Sequence, residues 1–186
     1  MNVPNRLTCL RIFLAVVFMA LLFAEGAFYK SLALAVFLAA SFTDFLDGRI
    51  ARRKGQVTRF GKLMDPVADK LLTVSAFVMF VQLGLVPGWM VVLVIMRDVL
   101  ITGVRLAVPS QGDWQAARLS GKQKTALQFS FIVATLVFLI LRETPQWNLS
   151  WEEPARRAVY FAMFFVLAVT LWSGARYLSE NRRVFN

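Results

Sequence analysis

Six apolar runs, each about the length needed to cross a bilayer, alternate with short charged connections along a chain of 186 residues. A hydrocarbon core about 30 Å thick takes about 20 residues of α-helix. The runs fall at about 6–25, 31–52, 63–84, 88–108, 120–141 and 156–178. Hydrophobic residues make up 58% of the chain, with 17 Phe and 5 Trp, against roughly 45–50% in soluble domains. Too little polar surface remains to cover a water-facing sphere. The expected fold is therefore all-α, a single polytopic membrane domain over residues 1–186 with six transmembrane helices. Internal repeats, low-complexity stretches and a separate soluble domain are absent. Leu7 to Ala24 reads as a first span, because no small-residue cleavage site precedes a soluble domain.

The net charge of +10 is distributed as a topology signal. Arg6 precedes the first run, and Arg49, Arg52, Arg53, Lys54, Arg59 and Lys62 fill the connection between the second and third. Arg118, Lys122 and Lys124 lie between the fourth and fifth, and Arg182 and Arg183 close the chain. The alternate connections are neutral or balanced: Glu25 with Lys30, nothing in Gly84–Gly88, then Arg142, Glu143, Glu152, Glu153, Arg156 and Arg157. Positive charge stays on the cytoplasmic side. Both termini and the large basic connection are thus expected in the cytoplasm, with the chain in a bacterial-type inner membrane. Anionic lipid headgroups, not nucleic acid, are the matching polyanion. The lone Cys9 excludes an intrachain disulfide, and the absence of histidine removes the ligands of a His/Cys zinc site. Gly84-x-x-x-Gly88 has the spacing of a helix-dimer motif, but Pro87 and its place between runs make it a turn.

Against this background four carboxylates stand out. An Asp within a span costs about 2.5–3.5 kcal/mol at mid-helix and less near an interface. Asp44 and Asp47, at the end of the second run, share a helix face at i,i+3; Asp65 and Asp69, at the start of the third, share one at i,i+4. One connection joins the pairs, so the two faces can meet, and four converging carboxylates repel unless cations lie between them. Asp65 before Pro66 also has the form of a helix N-cap, and Arg49, Arg52 or Arg53 could form salt bridges with Asp44 and Asp47. Neither alternative accounts for all four acids. Hard oxygen donors without His or Cys suit Mg²⁺ or Mn²⁺, with Ca²⁺ a possible inhibitory occupant.

Together these residues read Asp44-Phe-Leu-Asp47-Gly48-Arg-Ile-Ala51-Arg52, eight residues, then Gly61-Lys-Leu-Met-Asp65-Pro-Val-Ala-Asp69. The stretch resembles the signature of the CDP-alcohol phosphatidyltransferases, D-x2-D-G-x2-A-R-x8-G-x3-D-x3-D, at every fixed position. Eight such positions at ordinary residue usage coincide by chance on the order of 10⁻¹⁰ times per start point. The resemblance implies two divalent ions held by Asp44, Asp47, Asp65 and Asp69, with Asp44 and Asp65 shared between them and Asp69 also the general base. It implies that Gly48, Ala51, Arg52, Thr58 and Gly61 contact CDP-diacylglycerol, and that Asn5 and Thr8 lie near the cytidine. Gly48 and Gly61 have ordinary alternatives as a helix C-cap and a loop glycine, and Asn5 with Thr8 as a helix-start signal. Homodimerisation is implied by the family alone.

The acceptor alcohol is read from other residues. Arg97 and Asp98 lie inside the fourth run, and Arg105 lies two turns further toward the cytoplasm. Being consecutive, Arg97 and Asp98 are expected to point apart. Arg97, Arg105, Arg118, Lys122 and Lys124 form a set of cations suited to a phosphate-bearing acceptor, since guanidinium binds phosphate bidentately; positive-inside bias is the alternative for Lys122 and Lys124. Met96-Arg97-Asp98, Gly121-Lys122-Gln-Lys124-Thr125 and Asp65-Pro66-Val67-Ala68-Asp69-Lys70 resemble stretches of the bacterial phosphatidylglycerophosphate synthases, a subgroup of the family. Glycerol 3-phosphate is the implied acceptor, with phosphatidylglycerol (a cardiolipin synthase of the same fold) as the alternative. A metal- or proton-coupled transporter would use intramembrane acids too, but would place them near the midplane.

Overall fold

The computed structural model describes the backbone of residues 3–54, 59–107 and 115–180, and the side chains of residues 10–43, 70–104 and 124–179. Among the described residues there are six α-helices and no strand: α1 (Val3–Phe23), α2 (Ala27–Lys54), α3 (Arg59–Gln82), α4 (Gly88–Ala107), α5 (Gln115–Arg142) and α6 (Glu152–Glu180). A short 3-10 turn, Leu149–Trp151, leads into α6. The expected all-α order holds, with shifted ends: α5 opens at Gln115 and α6 at Glu152. Apolar runs mark where lipid or core must be met, whereas backbone hydrogen bonding carries a helix on into polar sequence. Arg182 and Arg183 lie outside the described residues.

Two described stretches, Lys124–Arg142 and Leu149–Ser179, are long and apolar enough to cross a membrane; Leu10–Phe23, Ala27–Thr43 and Lys70–Gln82 are shorter apolar helices. The outer surface is apolar as well. Phe28 is 73% exposed, Phe161 67% and Trp172 76%, with Phe13, Phe42, Phe164 and Phe165 also outside. Exposed apolar surface on this scale is untypical of a soluble monomer and compatible with a membrane protein.

α1 packs on α2 and α3, α5 on α2, α3 and α6, and α4 on α3 and α6. Aromatic rings make the joints around α5. Phe37 of α2 lies 5.8 Å from Phe18 of α1 and 5.4 Å from Phe129 of α5, centroid to centroid. Phe131 of α5 meets Phe77 and Phe80 of α3 at 6.0 and 6.1 Å. Leu22, Met90, Ile132, Leu136 and Met163 complete a fully buried apolar interior, so the bundle is held by packing on every helix rather than by polar pairs.

One end of the bundle is closed by polar groups that serve the turns. Lys30 is buried and its Nζ donates to the carbonyls of Leu22 and Ala24, at 2.6 and 2.8 Å. It thereby occupies carbonyls that the end of α1 leaves without an intrahelical donor. α3 ends in a left-handed glycine cap: Gly84 has φ +66, its N–H donates to Val81 O, and Leu85 N–H donates to Phe80 O. Pro87 follows, and Arg156 of α6 donates to Gly84 O at 2.8 Å. The Gly84–Gly88 segment is thus the expected turn.

Candidate active site

The opposite end carries the signature. Asp44 and Asp47 lie on α2 and Asp65 and Asp69 on α3, consecutive helices that are in contact; their side chains are outside the described residues. The backbone alone decides several alternatives. α3 begins at Arg59, so Asp65 is inside the helix and does not cap it. Pro66 is internal too, and its missing N–H leaves the Lys62 carbonyl without that donor. α2 continues to Lys54, so Gly48 is a helix-interior residue rather than a C-cap, and Gly61 lies in the first turn of α3 rather than in a loop. Ala51 and Arg52 are on the last turns of α2, Asn5 and Thr8 are in the first two turns of α1, and Thr58 lies outside the described residues.

One residue beyond Asp69 the side chains are described, and they form a buried polar cluster across four helices. Lys70 Nζ donates to the Asp98 carbonyl at 2.5 Å and to Thr102 Oγ1. Thr102, one turn beyond Asp98 on α4, donates back to the same carbonyl at 2.7 Å. The Asp98 carboxylate takes two cations: Lys124 of α5 forms an ion pair with Oδ1, and Arg97 Nη1 lies 3.2 Å from the same oxygen. Arg97 Nη2 donates to Ser173 Oγ of α6 at 3.0 Å. All three charged groups are nearly enclosed, with side-chain exposures of 12% for Arg97, 14% for Asp98 and 8% for Lys124.

The pairing of Arg97 with Asp98 corrects the expectation that consecutive residues would point apart. An arginine stem is long enough to return its guanidinium to the neighbouring carboxylate, and leaving either buried charge unpaired would be costly. Of the expected acceptor cations the structure brings Arg97 and Lys124 together on Asp98. Arg105 is on α4 and Arg118 and Lys122 are on α5, with side chains outside the described residues. Three participants were missed: Lys70, Thr102 and Ser173. Lys70 had a sequence signal, a cation in an otherwise apolar stretch directly after Asp69. Ser173, on an apolar helix, had none.

With Lys70, Arg97 and Lys124 against a single Asp98, the cluster holds three cations and one anion among its described members. An anion is the natural complement to such a surplus. The four acids of the signature on α2 and α3 are the natural complement to divalent cations, because all four offer hard oxygen donors. Among the described residues no group of His, Cys, Asp and Glu is arranged to hold a metal, and the four aspartate side chains are not among them.

Comparison with known proteins bears directly on this end of the bundle. A sequence model of the CDP-alcohol phosphatidyltransferase family matches residues 1–175. The chain is 38% identical over 192 residues to the CDP-diacylglycerol–glycerol-3-phosphate 3-phosphatidyltransferase of Bacillus subtilis (strain 168), covering 97% of this chain and 95% of the relative. It is 35% identical over 188 residues to the protein of that name from Escherichia coli (strain K12), covering 97% and 95%. A probable phosphatidylglycerophosphate synthase of Mycobacterium tuberculosis (strain H37Rv) is 34% identical over 185 residues, covering 98% and 82%. Identity at this level along nearly the whole chain, with the signature complete on α2 and α3, makes the protein a member of the CDP-alcohol phosphatidyltransferase family and an enzyme of phospholipid biosynthesis.

Proposed function

We propose that the enzyme transfers the phosphatidyl group of CDP-diacylglycerol to glycerol 3-phosphate, giving phosphatidylglycerophosphate and CMP. The observation that carries this reading is the Lys70 link. Lys70 follows Asp69 directly and reaches Asp98 and Thr102, so the signature helix and the cation-rich cluster share one end of the bundle. Relatives named for glycerol 3-phosphate as acceptor support the same substrate.

In this reading Asp44, Asp47, Asp65 and Asp69 would hold two Mg²⁺ or Mn²⁺ ions. Divalent ions there would neutralise the donor diphosphate and the charge that develops at phosphorus. Asn5, Thr8, Gly48, Ala51, Arg52, Thr58 and Gly61 seat the CDP portion, the glycines allowing close approach. Arg97, Arg105, Arg118, Lys122 and Lys124 attract the acceptor phosphate. Asp69 takes the proton of the acceptor hydroxyl as its oxygen bonds to the lipid-bearing phosphorus; the bond from that phosphorus to the CMP oxygen breaks. The fit of a phosphate to the cluster follows from charge: Arg97 and Lys124 divide one carboxylate between them and retain attraction for a second anion.

We further read α1 to α6 as six spans of one domain in the inner membrane. The cation-rich connections join the ends that carry the acids, which puts both termini and the active site on the cytoplasmic side. The enzyme is read as a homodimer on the family resemblance. Release of CMP from CDP-diacylglycerol by the purified protein tests the proposal, comparing glycerol 3-phosphate, phosphatidylglycerol, serine and inositol phosphate. Preferred turnover with glycerol 3-phosphate is expected. Preference for phosphatidylglycerol would make the enzyme a cardiolipin synthase, and no turnover with any acceptor would overturn the assignment.

A further inference from the structure

We propose that Gly174 of α6 is a positioning residue for the acceptor site, keeping open the notch in which the Arg97 side chain lies. This rests on the reading that Arg97 helps recognise the phosphate of glycerol 3-phosphate. A Cβ built at Gly174 would come within 2.9 Å of Arg97 Nε, 3.0 Å of its Cγ and 3.5 Å of its Cδ. These are atoms in the middle of the side chain, and the end beyond them is held at two points. Nη1 lies 3.2 Å from Asp98 Oδ1, and Nη2 donates to Ser173 Oγ at 3.0 Å. The stem therefore cannot step aside without loosening one of those contacts or moving α6 away from α4.

Helix propensity offers no reason for this glycine, since glycine inside a helix costs about 1 kcal/mol relative to alanine. Gly103 of α4 makes the contrast, because a Cβ there meets nothing within 4 Å among the described residues. Arg97 Nε is buried and has no hydrogen-bond partner among the described residues. Its orientation is thus set on that side by packing against the bare α6 backbone rather than by a third bond. α6 in this way shapes acceptor recognition: Ser173 holds one guanidinium nitrogen, and the missing Cβ at 174 lets the stem lie flat. Because Asp98 also takes Lys124, displacing Arg97 disturbs both cations that face the acceptor.

The test is a kinetic comparison of Gly174→Ala, Ser173→Ala, Arg97→Lys and the double variant Gly174→Ala/Arg97→Lys, with Gly103→Ala as control. Gly174→Ala is expected to raise the KM for glycerol 3-phosphate about tenfold, the worth of one charge-assisted hydrogen bond. The KM for CDP-diacylglycerol and the unfolding midpoint in detergent stay at the values of the parent enzyme. Gly103→Ala matches the parent in both KM values, with an unfolding midpoint at or slightly above the parent's. The double variant should be no worse than Arg97→Lys alone, because the notch acts only through the guanidinium. An unchanged acceptor KM in Gly174→Ala, or additive losses in the double variant, overturns the inference while a raised KM in Arg97→Lys keeps the acceptor reading. An unchanged acceptor KM in Arg97→Lys overturns the acceptor reading and the inference with it. If Gly174→Ala yields no folded protein, Ser173→Ala, which removes one oxygen, decides: an acceptor KM equal to the parent's overturns the proposal.

Discussion

The two ends of this bundle use charged residues in opposite ways. At the turn end, Lys30 donates to the carbonyls of Leu22 and Ala24, Arg156 to that of Gly84, and Glu143 accepts from the Gly26 N–H. Arg142 and Glu152 pair at 3.1 Å while partly exposed, and Trp147 Nε1 donates to the same carboxylate group. Each of these contacts closes a turn or joins neighbouring segments. At the signature end, Arg97, Asp98 and Lys124 come from two helices and gather two cations on one carboxylate. The turn end chiefly satisfies backbone groups, whereas under the proposed function the signature end keeps charge whose complement is a ligand. The contrast is useful because substitutions at the two ends should fail in different assays.

The largest expected effect is at the signature. Asp69→Asn should abolish CMP release, a loss of about 10²-fold or more for removal of a general base, with the purified protein still folded in detergent. Near-normal turnover would remove Asp69 from the chemistry. Next comes the cluster. Lys124→Ala, and Arg105→Ala with it, should raise the KM for glycerol 3-phosphate roughly 10- to 100-fold, as expected for a lost hydrogen bond to a charged group. A larger rise for CDP-diacylglycerol would move those cations to the donor and break the comparison.

The turn end should respond in stability instead. Lys30→Met removes two buried hydrogen bonds to carbonyls and should destabilise the fold by about 1–3 kcal/mol, lowering the thermal midpoint while both KM values hold. A kinetic defect at constant stability would show that the two ends are coupled. The smallest effect belongs to Arg157→Ala, whose pair with Glu153 at 3.8 Å is largely exposed on both sides. Its thermal midpoint should match the parent, because such pairs contribute about 0–1 kcal/mol.

Much of the molecule could be read from the chain alone because its cues are local. An apolar run of span length is a helix wherever it lies, since the backbone must satisfy its own hydrogen bonds in lipid. Gly84 and Pro87 announce a turn by their own backbone chemistry. Asp44, Asp47, Asp65 and Asp69 stand out because each is costly in its setting and all fit one spacing. The capping alternative for Asp65 was also local in form, yet the extent of α3 decided against it. Helix ends moved for a similar reason, as polar residues can extend a helix that apolar ones begin.

What could not be read was which side chains meet across helices. Arg97 and Asp98 looked divergent by their angular separation on α4, and the structure pairs them. In the sequence Lys70 reads only as the end of the Asp65–Lys70 stretch, and it bridges to α4. Ser173 and Gly174 carried no signal, because a serine and a glycine in an apolar helix acquire meaning only from what packs on them.

By itself, then, the sequence determined the helical class, the order of the segments, the turns and the four acids, since each follows from hydration cost, backbone geometry or fixed spacing along one chain. The tertiary structure alone decided that α3, α4, α5 and α6 meet around Asp98, and that Arg97 lies against a glycine of α6. Contacts between helices depend on rotation and register, and those are set by the packing of rings such as Phe37 and Phe131 rather than by any residue read singly.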